Sequence, residues 1–176
     1  MGLNNFNIQF EKPLKIFFSG EELRGRVLVD LSSQKNFRHI KLEIVGRGEV
    51  HWTETRTVTR TRDGKTETET VTDHYRSSEK YFQQEFIIQQ GPGLPPGRHV
   101  LPFSVILPSN LPSSFEGYYG SVRYYVRADI VRDWKWDHKV KQHIMVNGIL
   151  DLNLYPSAQK PGESHLVCHL YAGVTS

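Results

Sequence analysis

The chain carries 22 Lys+Arg against 19 Asp+Glu over 176 residues, a net charge of +3, and its length allows one domain that buries roughly 70% of its unfolded surface. So small a basic excess falls short of the clustered positive stripe expected of a nucleic-acid binder and leaves room for one basic groove. The one cysteine, Cys168, excludes an intrachain disulfide and points to a reducing compartment.

The N-terminal MGLNNFNIQF has neither a basic region nor an apolar run, so no signal peptide is expected, and Phe6 stands where a myristoylation signal at Gly2 wants Ser or Thr. No Asn-x-Ser/Thr sequon occurs, and no apolar run is long enough to cross a bilayer. A cytoplasmic address is expected. Phe6, Ile8 and Phe10 alternate with polar neighbours and predict a first strand, punctuated by Pro13 and by Ser19-Gly20-Glu21. Val27, Val29 and Leu31 predict a second strand, and Ile40, Leu42 and Ile44 a third. No window keeps a helical period, so the pattern is all-β.

The segment from Trp52 to Tyr75, WTETRTVTRTRDGKTETETVTDHY, centres on Asp63-Gly64, the strongest short hairpin signal. Folding about that turn sets Thr61 opposite Thr66, Thr59 opposite Thr68 and Arg60 opposite Glu67. A protruding hairpin near 53–73 is predicted, with a threonine ladder on one face and mixed charges on the other. Phe82, Phe86 and Ile88 form the next strand, and Gly91 to Gly97 a proline-glycine connection.

From Pro92 to Ile130 the chain reads as two strands joined by a rigid crossover. Leu101, Phe103, Val105 and Leu107 share a face of the first; Val122, Tyr124, Val126, Ala128 and Ile130 share a face of the second, opposite Arg123, Tyr125, Arg127 and Asp129. Pro108 and Pro112 deny donors to any ladder between them, and Gly117 and Gly120 allow tight turns. Such a bridge suits a two-sheet antiparallel β-sandwich. Asp133-Trp134-Lys135-Trp136-Asp137 then makes a polar-aromatic turn. Val140, Ile144 and Val146 continue the sheet, Asn147-Gly148 turns, and Leu150, Leu152 and Leu154 alternate on a last strand.

The order Gly97-x-His99-x-x-Pro102-Phe103, Leu107-Pro108, Leu111-Pro112-x-Ser114-Phe115-Glu116-Gly117-x-Tyr119-Gly120-x-Val122-Arg123-Tyr124-x-Val126 resembles the signature of arrestin N-terminal domains, nearest in spelling to the α-arrestins, the arrestin domain-containing proteins. Within it Pro102, Phe103, Pro108, Leu111, Pro112, Phe115, Gly117, Gly120 and Tyr124 are expected to be structural. The resemblance covers one sandwich, residues 1–156. It makes 157–176 an interdomain hinge and the start of a second arrestin domain not included here.

The resemblance implies an immunoglobulin-like sandwich that acts without catalysis or cofactor, as an adaptor binding acidic or phosphorylated tails of membrane receptors or transporters. It implies Lys12, Lys15 and Arg98 as cations for that groove, and Asp30 as a carboxylate of an interdomain ionic cluster. It implies further a HECT-type ubiquitin ligase recruited by a C-terminal Pro-Pro-x-Tyr tail that these residues lack, recruitment to plasma membrane and endosomes, and thiol exchange between Cys168 and thioredoxin as a second possibility. A glycan-binding sandwich is the alternative of another class, with Tyr118, Tyr119, Tyr125, Trp134 and Trp136 as its aromatics.

Catalytic readings are weak. Ser113, Ser114 and Glu116 lie beside glycines, but serines after proline are chiefly turn formers, and no strand-to-helix phosphate loop is available. His165, Cys168 and His169 resemble a metal cluster. In an extended strand, though, the histidines lie roughly 13 Å apart with Cys168 on the other face.

Overall fold

The computed structural model describes residues 2–62, 65–134 and 136–150. Eleven strands form, and no helix occurs among the described residues. In chain order they are β1 (Leu3–Phe10), β2 (Ile16–Phe18), β3 (Glu22–Leu31), β4 (Lys35–Asn36), β5 (His39–Arg62), β6 (Lys65–Gln90), β7 (Gly93–Leu94), β8 (Gly97–Ile106), β9 (Phe115–Glu116), β10 (Gly120–Val131) and β11 (His138–Asn147). A three-stranded sheet, β1-β3-β8, packs on a six-stranded one, β2-β11-β10-β5-β6, where β9 adds to β10; β4 and β7 make a small separate pair.

The alternating residues meet between the sheets. In the small sheet Ile8, Val27 and Leu101 lie in one row, and Phe10, Gly25 and Phe103 in another. Gly25 is needed there, because a Cβ would stand 2.6 Å from Phe103 Cζ and 2.7 Å from the Gln9 carbonyl oxygen. Into that space Phe103 packs edge-on to Phe10, which also meets Phe17 edge-on. From the large sheet Ile40, Leu42, Ile44, Tyr124, Val126 and Ile130 face them, all essentially buried.

Two elements differ from the sequence pattern. Ile16–Phe18 forms a short strand pairing in parallel with Met145–Asn147 of β11, a long-range register that no local alternation announces. The predicted third strand, hairpin arms and Phe82–Ile88 strand are not separate: β5 and β6 run unbroken for 24 and 26 residues. Bulges between Ile40 and Lys41 and between Gly46 and Arg47 keep their faces in step with the core.

The threonine register is as expected, with Thr61 opposite Thr66, Thr59 opposite Thr68 and Arg60 opposite Glu67. Asp63 and Gly64 themselves lie outside the described residues. The charges close diagonally, Arg56 to Asp73 at 2.9 Å and Arg60 to Glu69 at 4.0 Å, as neighbours two residues off do on a twisted ribbon. β10 accompanies β5 only as far as the pair Gly120–Val50. The His51 amide still donates to the Tyr119 carbonyl at 2.7 Å; from Trp52 on, the ribbon extends beyond that pairing, with Trp52 stacked on Tyr75 at its base, 5.0 Å between ring centroids. Leu150 is exposed and outside any strand. Leu152 and Leu154 of the predicted last strand, and the 157–176 hinge, lie outside the described residues.

Candidate functional site

The signature residues build the bridge between β8 and β10. Leu107 and Leu111 are buried, and Tyr124 passes beneath the crossover to donate its phenol hydrogen to the Pro112 carbonyl at 2.6 Å. Burial, and then the nearby Tyr81, push the Tyr124 phenol up to about 12. Gly46 leaves room for the ring, since a Cβ there would run into it. Ser114 Oγ accepts from the Val146 amide and Ser113 Oγ from the Gly148 amide, both at 2.9 Å. These hydroxyls fasten the crossover to β11. Glu116 receives two hydrogen bonds from Arg123, at 2.6 and 2.7 Å, which hold its carboxyl below the usual range. Gly117 donates its amide to the Gly120 carbonyl at 2.8 Å, while Phe115 is exposed.

The predicted cations do not form one cluster. Among the described residues β1 pairs only with β3, so no strand ladders on its outer edge, where the Asn7 side chain accepts from the Ile8 amide at 2.8 Å. Lys12 stands past the end of that edge, over the Phe17 ring, and is ion-paired with Glu21. The hydrogen bond from Lys12, followed by that from the Phe18 amide, holds the Glu21 carboxyl low. Lys15 has φ of 57° and donates from Nζ to the uncharged Gln142 Oε1 at 2.7 Å. Gln142 donates in turn to Asn7 Oδ1 at 3.3 Å, so a polar chain closes the gap between β1 and β11. Lys15 is therefore the cation whose charge is met there by a neutral amide.

Arg98 is exposed at the other end of the small sheet, where it pairs across with Asp30, and Asp30 with Asn5. Asn5 is five residues, roughly 17 Å of strand, from Phe10. The structure thus brings Arg98 and Asp30 opposite each other and leaves Lys12 and Lys15 apart from them. Gln142 was missed in the sequence, yet it carried a signal: it is the polar member of the inward series Val140, Gln142, Ile144, Val146.

On the outward face of the large sheet, Arg127 lies between two buried carboxylates, Nη2 2.7 Å from Glu43 and Nε 3.2 Å from Asp129. Gln83 donates to the other Glu43 oxygen at 2.6 Å. The aromatics named for a glycan face are dispersed. Tyr118 and Tyr119 precede β10, whereas Trp134 and Trp136 follow it, about 40 Å of strand away. Among the described residues no group of three or more His, Cys, Asp or Glu could hold a metal ion, and no helix is long and apolar enough to cross a membrane. His165, Cys168 and His169 lie outside the described residues.

This architecture has known counterparts. Residues 6–153 match the family described as Arrestin (or S-antigen), N-terminal domain. The chain belongs to the arrestin family. Arrestin domain-containing protein 17 of Caenorhabditis elegans is 33% identical over 172 residues, covering 90% of this chain and 38% of that protein. Human arrestin domain-containing protein 4 is 30% identical over 159 residues, covering 86% and 37%. This arrestin chain therefore spans less than two-fifths of the length of these relatives. The crystal structure of Spo0M, a sporulation control protein from Bacillus subtilis, shares the fold, with a TM-score of 0.54 at 21% identity over 85% of this chain and 51% of that one. Arrestin-domain proteins are generally non-catalytic adaptors.

Proposed function

We propose that this arrestin domain is a non-catalytic adaptor module that receives extended acidic or phosphorylated tails of membrane receptors or transporters along the outer edge of β1. The observation that carries this reading is the outer edge of β1, which no strand pairs with among the described residues, with Lys15 linked through the neutral amide of Gln142 to Asn7 midway along it. A peptide strand gains main-chain hydrogen bonds along such an edge. A phosphate or carboxylate would add ion pairing to the charge-assisted bond that Lys15 already gives the Gln142 amide. Lys12 contributes less, since Glu21 already neutralises it. Arg98, level with Asn5 but on β8, is separated from a peptide on that edge by β1 and β3 and contributes less.

In the longer protein, the reading extends to a HECT-type ubiquitin ligase recruited through a C-terminal tail, to traffic between plasma membrane and endosomes, and to an interdomain contact through Asp30. Fluorescence anisotropy of phosphorylated and unphosphorylated peptides against ionic strength tests the groove. Binding is expected to favour the phosphorylated form, to decline with salt, and to be lost in Lys15→Glu and weakened in Arg98→Glu. Salt-independent binding, or binding indifferent to Lys15→Glu, overturns it. Affinity purification of the full-length protein, with and without its tail, tests the ligase link.

A further inference from the structure

At the end of the sandwich away from the ribbon, the turn between β10 and β11 presents two tryptophans that pack on nothing. Trp134 is 104% exposed and Trp136 93%. Their turn is closed from beneath by Arg132, whose Nη2 donates to the Trp136 carbonyl and whose amide donates to Asp137 Oδ1 at 3.1 Å. Trp134 takes φ of 57°, the left-handed region that L residues other than glycine enter at a cost.

Beside the turn lies an open cleft of about 1560 Å³ whose lining includes Lys35, Arg38, Arg132 and His138; its one carboxylate, Asp133, forms a long, exposed ion pair with Arg38 at 3.6 Å, so the cations outnumber it. The Arg38 amide donates to the Val131 carbonyl at 2.9 Å, which seats Arg38 next to Arg132. Arg132 Nε and His138 Nε2 are buried with no hydrogen-bond partner among the described residues.

We propose that this end of the molecule docks on anionic membrane surfaces, with Trp134 and Trp136 entering the headgroup region while Lys35, Arg38 and Arg132 neutralise phospholipid phosphates and carboxylates. Tryptophan favours the bilayer interface, where its apolar rings and polar N–H are both satisfied, and nearby cations strengthen attachment to anionic lipid. Charge complementarity selects lipid over a folded partner: the two rings are almost fully exposed, with the cations of the cleft beside them.

The orientation also fits. β11 begins at this tip and ends at Asn147, roughly 33 Å away, so the described chain leaves the sandwich at the far end, where the ribbon also emerges. Burial, then Lys35 and Arg132, hold the His138 imidazole below its usual range, with Asp137 opposing. This places both cations around one ring and makes His138 a reporter of anions in the cleft.

The test uses Trp52→Phe, which removes the third tryptophan, with phosphatidylcholine vesicles with and without phosphatidylserine. Co-sedimentation and a blue-shifted tryptophan emission are expected only with phosphatidylserine. Removing two charges in Lys35→Gln/Arg38→Gln should weaken binding about fivefold per charge. Trp134→Ser/Trp136→Ser should weaken it and leave far-UV circular dichroism unchanged. Equal binding to pure phosphatidylcholine, or indifference to the tryptophan pair, overturns the proposal. So does an upward shift of the His138 titration with inorganic phosphate when no vesicle is bound, which would make the cleft a soluble-anion site. Peptide binding at the β1 edge should survive in all these variants, so the two readings fail separately.

Discussion

Replacing Tyr124 by Phe isolates one hydrogen bond at the centre of the crossover. The ring is 1% exposed and its hydroxyl donates to the Pro112 carbonyl at 2.6 Å. Phenylalanine fills the same space, so almost no apolar burial is lost. What remains is a missing bond and an under-satisfied carbonyl, together about 1–3 kcal/mol. Pro112 is half-buried and water can partly reach its carbonyl, which points to the lower half of that range. A loss of about 1–2 kcal/mol lowers Tm by roughly 2–8 °C in a chain of this size. Tyr124→Leu also opens a cavity and should cost more, about 3–5 kcal/mol. Urea unfolding followed by far-UV circular dichroism measures both, with m unchanged if only native contacts are affected.

The pH dependence provides a second check on the same variant. With the phenol raised from 10.0 to about 12 in the fold, the native state holds its proton more tightly than the unfolded chain. Its contribution is complete below pH 10 and is lost as the pH rises towards 12. The wild-type and Phe stability curves should therefore converge above pH 10. A Phe variant as stable as wild type at neutral pH, with the same alkaline decline, refutes the reasoning.

Three further outcomes follow from other parts of the molecule. Deleting residues 53–74 and joining Trp52 to Tyr75 through Asn-Gly should leave the urea midpoint of the sandwich nearly unchanged, since no core residue lies in that stretch. A large loss would make the ribbon part of the folding unit. Arg127→Met leaves Glu43 and Asp129 buried without their shared cation and should cost about 3 kcal/mol by the same assay. Stability equal to wild type would mean that the carboxylates find other partners. The Glu116 carboxyl, held low by Arg123, should titrate below 4.5 by NMR and return upward in Arg123→Gln. Its small contribution is present above that range and lost as the pH falls through the lowered value.

Period-two alternation was enough to place the inward rows of β1, β3, β5, β8 and β10, because each is an apolar series of three or more residues with one face buried. The Asp63-Gly64 spelling made the ribbon register legible, since a two-residue hairpin centre fixes every pair behind it, and the pairs from Thr61–Thr66 inward follow that register. β2 could not be read that way. Three residues hold no period, and its partner is a parallel strand more than a hundred residues later. The contact of Lys15 with Gln142 was hidden likewise, since it depends on how the edges of two sheets approach each other. Lys12, Lys15 and Arg98 were legible as cations. That Glu21 neutralises Lys12 and that Arg98 stands level with Asn5 are facts of three-dimensional register. The tip cations were hidden for the same cause: Lys35 and Arg38 meet Arg132 and His138 from a segment about a hundred residues earlier.

β5 belongs at once to the middle of the larger sheet and to the projecting arm, without a joint between them. The residues from Trp52 to Arg62 extend roughly 36 Å. Any load applied near the arm's end passes the bulge at Gly46 and Arg47 before it reaches Ile44, Leu42 and Ile40, and the arm behaves as a cantilever clamped in the core. A fluorophore pair set at its outer end and on β10 should keep one narrow distance distribution.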